Sequence, residues 1–77
     1  MKIYGSMLCP DCVACVEDLN AAGVAFTFCD FSENLIHLKE FLKLRDQESV
    51  FEEVKREGKI GIPCLVDDDG TVSLCWK

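Results

Sequence analysis

Residues 9–12 of the chain are Cys9-Pro10-Asp11-Cys12, two cysteines separated by two residues. The sequence of residues 2–5 predicts a short strand immediately before them. Proline is favoured at the first position of a helix, because its missing N–H would have no partner there. We therefore expect a helix from Pro10 to about Ala22. The cysteine pair stands where a strand gives way to a helix.

The segment that follows predicts a second strand and two further helices. The strand spans Val24–Cys29 and is apolar on both faces, which is typical of a strand that is covered on both sides. Asp30 or Ser32 can cap the next helix. Its inward face is expected to carry four apolar side chains: Leu35, Leu38, Phe41 and Leu42. Ser49 and Glu52 form a capping-box pattern that opens a shorter helix.

The last part of the chain predicts a hairpin. A third strand over Ile62–Asp67 leads to an Asp-Gly turn at residues 67–70, and a fourth strand spans Thr71–Cys75. The element order is therefore β-α-β-α-α-β-β. A strand–helix–strand start implies a right-handed parallel crossover, so the closing hairpin makes a four-stranded mixed sheet with helices packed on it. We expect one α/β domain over residues 1–77.

Composition restricts the function. Apolar residues make up 49% of the chain, as in a folded domain, and the net charge is −6. Nucleic acids and anionic membranes bind basic surfaces, so we expect neither as a partner. No apolar run approaches the ~20 residues of a membrane span. The first residues are too polar for a signal peptide, so we expect a cytoplasmic protein that acts as a monomer.

Six cysteines in 77 residues suggest thiol chemistry. In a reducing compartment, catalytic or metal-binding thiols are more common than structural disulfides. At a helix start, the unpaired amides and the positive end of the helix dipole favour the thiolate form of Cys9. Cys12 lies one turn further along the helix and can reach the sulfur of Cys9. Cys9 is therefore the candidate attacking thiol and Cys12 the candidate resolving thiol.

The chain resembles the glutaredoxin branch of the thioredoxin superfamily, especially the short glutaredoxin-like proteins of bacteria and archaea. The resemblance is carried by residues 3–5 and 9–12, by Gly61-Ile62-Pro63, and by the Asp-Gly hairpin. It implies a minimal thioredoxin fold without the usual C-terminal helix, and a thiol–disulfide oxidoreductase that reduces protein or low-molecular-weight disulfides. It also implies that Pro63 is cis beside the reactive cysteine and that Ile62 hydrogen-bonds an extended substrate.

Pro10 and Asp11 complete the expected substrate-binding residues. Where glutaredoxins have Tyr or Phe, this chain has Asp11, and Ser6-Met7-Leu8 stand where they have a basic residue. A carboxylate near the thiolate opposes it by roughly 1 kcal/mol, similar to the support from the helix start. We expect no bound cofactor. We expect a reductase, glutathione or another dithiol as the electron donor.

The sequence leaves two other functions open. Cys9, Cys12 and Cys15 form a Cys-x-x-Cys-x-x-Cys pattern, and Cys64 or Cys29 could add a fourth thiolate for zinc or an iron–sulfur cluster. The spacing along one rigid helix disfavours convergence on a metal, so we assign no metal ligand. The second function is an interaction domain without turnover.

The remaining cysteines have simpler explanations. Cys15, Cys29 and Cys75 are expected to pack in the core, because unpaired cysteine is among the most buried residue types. Cys64 follows Pro63 directly, and the sequence favours neither core packing nor a role at the site. His37 is expected to be solvated or half-buried, with no ligand role.

Overall fold

The computed structural model describes residues 1–76, so Lys77, the last residue of the predicted domain, lies outside the description. The described chain forms four strands and three α-helices, with a 3₁₀ turn at Ser49–Phe51. The strands are β1 (Lys2–Gly5), β2 (Thr27–Asp30), β3 (Cys64–Val66) and β4 (Val72–Ser73); the helices are α1 (Pro10–Ala21), α2 (Leu35–Gln47) and α3 (Glu52–Arg56). None of these helices is long and apolar enough to cross a membrane.

The four strands form one mixed sheet in the order β2-β1-β3-β4. β1 pairs parallel with β2, while β3 is antiparallel to both β1 and β4. The turn between β3 and β4 is closed by a hydrogen bond of 2.9 Å from the Gly70 amide to the Asp67 carbonyl. The predicted element order and the mixed α/β sheet are confirmed.

The core lies on both faces of the sheet, because successive strand residues point to opposite sides. On one face Ile3 packs with Cys15 and Leu19 of α1. On the other face Tyr4 packs in a cluster with Phe41 of α2 and Phe51, and the two phenylalanine rings meet edge to face at 5.8 Å. α1 therefore covers one face of the sheet, and α2 with the 3₁₀ turn covers the other.

Several predicted details of α2 are wrong. Its N-cap is Asn34, whose side chain accepts from the Ile36 amide at 2.9 Å, and not Asp30 or Ser32. Phe41 is buried and Leu44 packs half-buried against the same cluster, whereas Leu42 is turned outward. Leu35, in the first turn, is also exposed.

The strands are shorter than the sequence predicts. β2 begins at Thr27 because Val24 and Phe26, although they pack on the core, do not join the ladder. β3 begins at Cys64, after Pro63, which has no amide to donate to a neighbouring strand. β4 has only two residues and ends at Ser73. The sheet is therefore small.

Candidate active site

The two cysteines of residues 9–12 occupy different environments at the start of α1. Cys9 is the N-cap residue and is half-buried, whereas Cys12 is fully buried. The Cys9 carbonyl accepts from the amides of Cys12 and Val13, both at 3.1 Å. The Cys12 thiol donates a hydrogen bond to the sulfur of Cys9 and accepts one from the Ser6 amide. The chain thus has one accessible sulfur with a buried sulfur directly beside it.

Burial is the main reason that the pKa of Cys12 is raised to about 12. The neighbouring Cys9 raises it further, and the Ser6 amide acts in the opposite direction. Burial disfavours a charged thiolate, so Cys12 keeps its proton at neutral pH in the reduced protein. Cys9 is the sulfur of the pair that solvent can reach.

The buried thiol fits because residue 5 has no side chain. A Cβ atom at Gly5 would lie 2.6 Å from Cys12 Sγ and 3.6 Å from the Phe28 ring. A contact of 2.6 Å is far inside van der Waals separation, so any other residue at the end of β1 would displace the sulfur. The close packing of the first turn of α1 against the end of β1 therefore requires glycine at residue 5.

A hydrogen-bond network holds residues 6–8, the loop between β1 and α1. The hydroxyl of Ser6 donates to Ser32 Oγ at 3.0 Å, and it accepts from the Leu8 amide at 3.1 Å. Asp30 accepts from the Ser32 hydroxyl and amide, and from the Met7 amide at 3.4 Å. These bonds lower the pKa of Asp30, and the bond from the Ser32 hydroxyl has the largest effect.

Asp30 and Ser32 therefore fix the loop before Cys9 instead of capping α2. The predicted capping role does not include these contacts. The predicted parallel pairing of β1 and β2 could have indicated them, because the carboxyl ends of two parallel strands lie at the same edge of a sheet. Ser6 follows β1 and Asp30 ends β2, which places the two side chains together.

An open groove of about 540 Å³ lies beside Cys9. Its lining residues are Cys9, Asp11, Val54, Gly58, Lys59, Ile60, Gly61, Ile62 and Leu74. Of the predicted substrate-binding residues, Asp11 and Ile62 thus lie on the groove together with the cysteine. Pro63 is buried, and the Ile62–Pro63 peptide bond is cis, as the resemblance implied. Pro10 is exposed at the first position of α1 and does not line the groove.

The far wall of the groove, residues 58–62, is attached to α2 by Arg45. Its guanidinium donates to the carbonyls of Lys59 and Ile60 at 2.8 and 2.9 Å. At Gly61 the backbone has φ +93°, and a Cβ there would lie 2.8 Å from the Phe51 ring. No local pattern distinguishes Arg45 from the other charged residues of α2.

The other cysteines lie away from the groove. Cys15, Cys29 and Cys64 are buried in the core, as predicted for the first two. Cys64 packs with Tyr4 on the sheet face that α2 covers, which settles the question that the sequence left open. The prediction for Cys75 is wrong. This residue is exposed because β4 ends two residues before it.

The cysteines of α1 do not converge. Cys12 lies against Gly5, whereas Cys15 packs in the cluster that contains Ile3. Within residues 1–76, no group of three or more His, Cys, Asp or Glu side chains is arranged to hold a metal ion. His37 is half-buried, lies 3.2 Å from Glu40 and meets the Tyr4 ring edge to face. His37 therefore contributes to the packing of α2 against the sheet.

The chain is similar in sequence to a protein of Haemophilus influenzae. No protein-family model matches the chain, and no solved structure matches it. An uncharacterized protein of Haemophilus influenzae (strain ATCC 51907 / DSM 11121 / KW20 / Rd) is 36% identical over 72 residues, which cover 94% of this chain and 84% of that protein. The chain belongs to the same family as this Haemophilus influenzae protein.

Proposed function

We propose that the chain is a glutaredoxin-like thiol–disulfide oxidoreductase whose redox pair is Cys9 and Cys12. The observation that carries the proposal is the asymmetry of the pair. Cys9 is accessible at the start of a helix and opens onto a groove, while the buried Cys12 thiol is hydrogen-bonded to it. A redox dithiol needs one sulfur that meets the substrate and a second sulfur that substrate cannot reach.

In the first step, the Cys9 thiolate attacks one sulfur of a substrate disulfide. A bond forms between Cys9 and that sulfur, the substrate S–S bond breaks, and the second substrate sulfur leaves as a thiolate that takes a proton. Cys12 keeps its proton during this step, because burial raises its pKa to about 12. The buried thiol therefore does not compete with Cys9 for the substrate.

In the second step, Cys12 gives up its proton and attacks the Cys9 sulfur, so that a Cys9–Cys12 bond forms and the bond between Cys9 and the substrate breaks. The remaining substrate sulfur leaves as a thiolate and takes up a proton, which balances the one that Cys12 lost. Two electrons have then passed from the dithiol to the substrate. An external dithiol, glutathione or a reductase restores the pair, and the cytoplasm supplies such donors.

The finer fold assignment is part of the same proposal. The parallel β1-α1-β2 unit, followed by an antiparallel β3-β4 hairpin, matches the arrangement expected of a minimal thioredoxin fold. A Cys-x-x-Cys motif near a β-α-β unit is typical of that fold. The cis Ile62–Pro63 bond also precedes β3, and Ile62 lies on the groove with Cys9.

The test is the equilibrium reduction potential of the pair, titrated against a dithiol buffer. We expect one two-electron transition, in the roughly −200 to −270 mV range of thioredoxin and glutaredoxins. Cys9→Ser and Cys12→Ser should each abolish it. Cys15→Ala removes another buried thiol of the same helix and should retain it, which makes it the matched control.

The opposite result would end the proposal. A chain without a reversible transition, or one whose transition survives in Cys9→Ser, does not use this pair. A transition lost only in Cys15→Ala would also contradict the assignment.

A further inference from the structure

Exposed apolar residues precede Cys9 in the chain, and other apolar residues line the groove beside it. Leu8, directly before Cys9, is 86% exposed, and Met7 beside it is 46% exposed. On the far wall of the groove, Ile60 is 57% exposed, and Ile62 and Leu74 complete the apolar lining. Exposed apolar residues that gather round one opening indicate a binding surface, whereas single ones do not.

Among the described residues, the groove lining carries one carboxylate, Asp11, and one ammonium, Lys59. Asp11 lies on the groove wall beside Cys9. Lys59 lies on the opposite wall, but its ammonium is paired with Glu57 at 2.8 Å and also feels the charges of Glu53 and Asp11. Within residues 1–76, Lys59 is the one cation on the groove lining, and nearby carboxylates compensate its charge. The described lining therefore offers an anionic ligand no unpaired cation, and the whole chain carries a net charge of −6.

We propose that the substrate is a protein disulfide in an extended apolar segment with a basic residue next to its cysteine, in preference to glutathione disulfide. The inference rests on the proposed function and names its substrate class. The apolar residues of the segment cover Leu8 and Ile60, and its basic residue meets Asp11. Glutathione disulfide is small and carries a net negative charge, so it gains little from the apolar side chains and is repelled by the carboxylates.

These contacts all adjoin the reacting sulfur or the groove beside it. Leu8 is adjacent to Cys9 in the loop, and Asp11 lies in the first turn of α1. Ile60 lies on the groove lining with Cys9, and Arg45 holds its carbonyl. A chain that lies along the groove and over Cys9 can therefore meet Ile60 in the groove and Leu8 next to the sulfur.

The experiment is a single-turnover reaction of the fully reduced protein with four disulfides. Two are synthetic peptide disulfides with the same apolar flanks and either Lys or Glu beside the cysteine. The third is glutathione disulfide, and the fourth is the small uncharged bis(2-hydroxyethyl) disulfide. The rate of Cys9–Cys12 disulfide formation is measured for each.

We expect the Lys peptide to react fastest, about threefold to tenfold faster than the Glu peptide at low salt, since exposed charge pairs are weak. High salt should reduce this difference. Asp11→Asn should reduce it as well. Leu8→Ser should lower the ratio of the Lys-peptide rate to the bis(2-hydroxyethyl) disulfide rate by about tenfold, the effect of losing one buried apolar side chain.

Val50→Ser is the matched control, because Val50 is also an exposed apolar residue but is neither adjacent to Cys9 in the chain nor on the groove lining. It should leave every ratio unchanged. If glutathione disulfide reacts as fast as the Lys peptide, or if Leu8→Ser behaves like Val50→Ser, the substrate proposal is overturned while the oxidoreductase stands. If none of the four disulfides oxidises the pair, the proposed function itself fails.

Discussion

Arg45 of α2 donates from Nε to the carbonyl oxygen of Ile60 at 2.9 Å, across a sequence separation of 15 residues. A second bond, from Nη2 to the Lys59 carbonyl, measures 2.8 Å. Two consecutive carbonyls held by one planar guanidinium fix both the position and the direction of the backbone. The groove wall opposite Cys9 is therefore attached to a helix that carries no residue of the cysteine pair.

Arg45→Ala should loosen this wall without touching the sulfurs. We expect KM for a peptide disulfide to rise about threefold to fivefold with little change in kcat, as for loss of roughly 1 kcal/mol of positioning. The free energy of unfolding should fall by a similar amount. Steady-state kinetics and urea denaturation measure the two effects separately.

Lys39→Ala is the control, since it removes another exposed cation from α2 that has no contact with residues 59–60. It should leave KM unchanged. A fall in kcat at constant KM in Arg45→Ala would mean that Arg45 acts on the chemical step instead.

Gly5→Ala tests how closely β1 approaches Cys12. The new methyl group would lie 2.6 Å from Cys12 Sγ, so the sulfur must move. Overpacking of this kind costs about 1–3 kcal/mol of stability. We also expect a change in the reduction potential of the pair, because the displaced sulfur no longer meets Cys9 in the same geometry.

A double-mutant cycle identifies the cause. In Gly5→Ala combined with Cys12→Ala, the sulfur is absent, and the nearest remaining atom of residue 12 is its Cβ at 3.6 Å. The double variant should be destabilised by clearly less than the sum of the single variants. If the losses of stability in the two single variants are additive, the steric conflict caused by the new methyl group does not come from the Cys12 sulfur.

The fold could be predicted largely from local patterns. Pro10 marked the start of α1, and the Asp-Gly turn marked the hairpin, because each residue type has a specific backbone preference. The inward face of α2 could not be predicted from periodicity alone. Leu35 and Leu42 are as apolar as Leu44, and only the orientation of α2 on the sheet decides which of them is covered.

The site could be predicted only where its residues are close in sequence. Cys9, Asp11 and Cys12 come from one segment, so their proximity follows from the motif. The Ser6–Ser32 hydrogen bond spans 26 residues, and the Arg45–Ile60 bond spans 15. Such contacts depend on how the elements pack, and no local pattern encodes them. The exposure of Cys75 was missed for a related reason, since β4 is shorter than its sequence suggests.

Alkylation under native conditions should separate the cysteines by exposure. Cys9 is half-buried and Cys75 is exposed, while the other four are buried: Cys12, Cys15, Cys29 and Cys64. Brief treatment of the reduced protein with iodoacetamide should label Cys9 and Cys75, and mass spectrometry locates the labels. The buried four should react only after denaturation. Early labelling of Cys12 would contradict the proposed order of attack.

Alkaline pH should destabilise the reduced protein. An unperturbed cysteine thiol has a pKa of 9.0, whereas burial raises the pKa of Cys12 to about 12. Between these values the unfolded chain loses a proton that the folded chain keeps, so stability is retained below pH 9.0 and falls up to about pH 12, by about 1.4 kcal/mol per pH unit. Burial raises the pKa values of Tyr4 and Cys64 to about 12 as well, with the same sign.

The contribution of Cys12 can be isolated with Cys12→Ala. Urea denaturation under reducing conditions, from about pH 8 to about pH 11, should give a shallower decline for the variant than for the parent chain. The cavity left by the sulfur lowers the free energy of unfolding by the same amount at every pH. It therefore lowers the whole plot of stability against pH without changing its slope. Parallel curves would show that Cys12 titrates alike in the folded and unfolded chain.

Asp30 should control the mobility of the loop that leads to Cys9. Its carboxylate accepts from the Met7 amide and from Ser32, whose hydroxyl is the main reason for its lowered pKa. Asp30→Ala removes these acceptors, and we expect the Met7 and Leu8 amides to exchange with solvent about fivefold faster, as for the loss of ~1 kcal/mol. In the parent chain, the carboxylate's contribution is lost only as pH falls through this lowered pKa.

Asp30→Asn provides the matched comparison. Its amide oxygen can still accept from Ser32, so part of the protection of Leu8, which depends on Ser6 and Ser32, should return. Met7 bonds to Oδ2, which the asparagine can replace with an NH₂ group, so its protection should stay low. Hydrogen exchange resolved by NMR distinguishes the two amides. If both amides stay protected in Asp30→Ala, the loop is held by packing and not by this network.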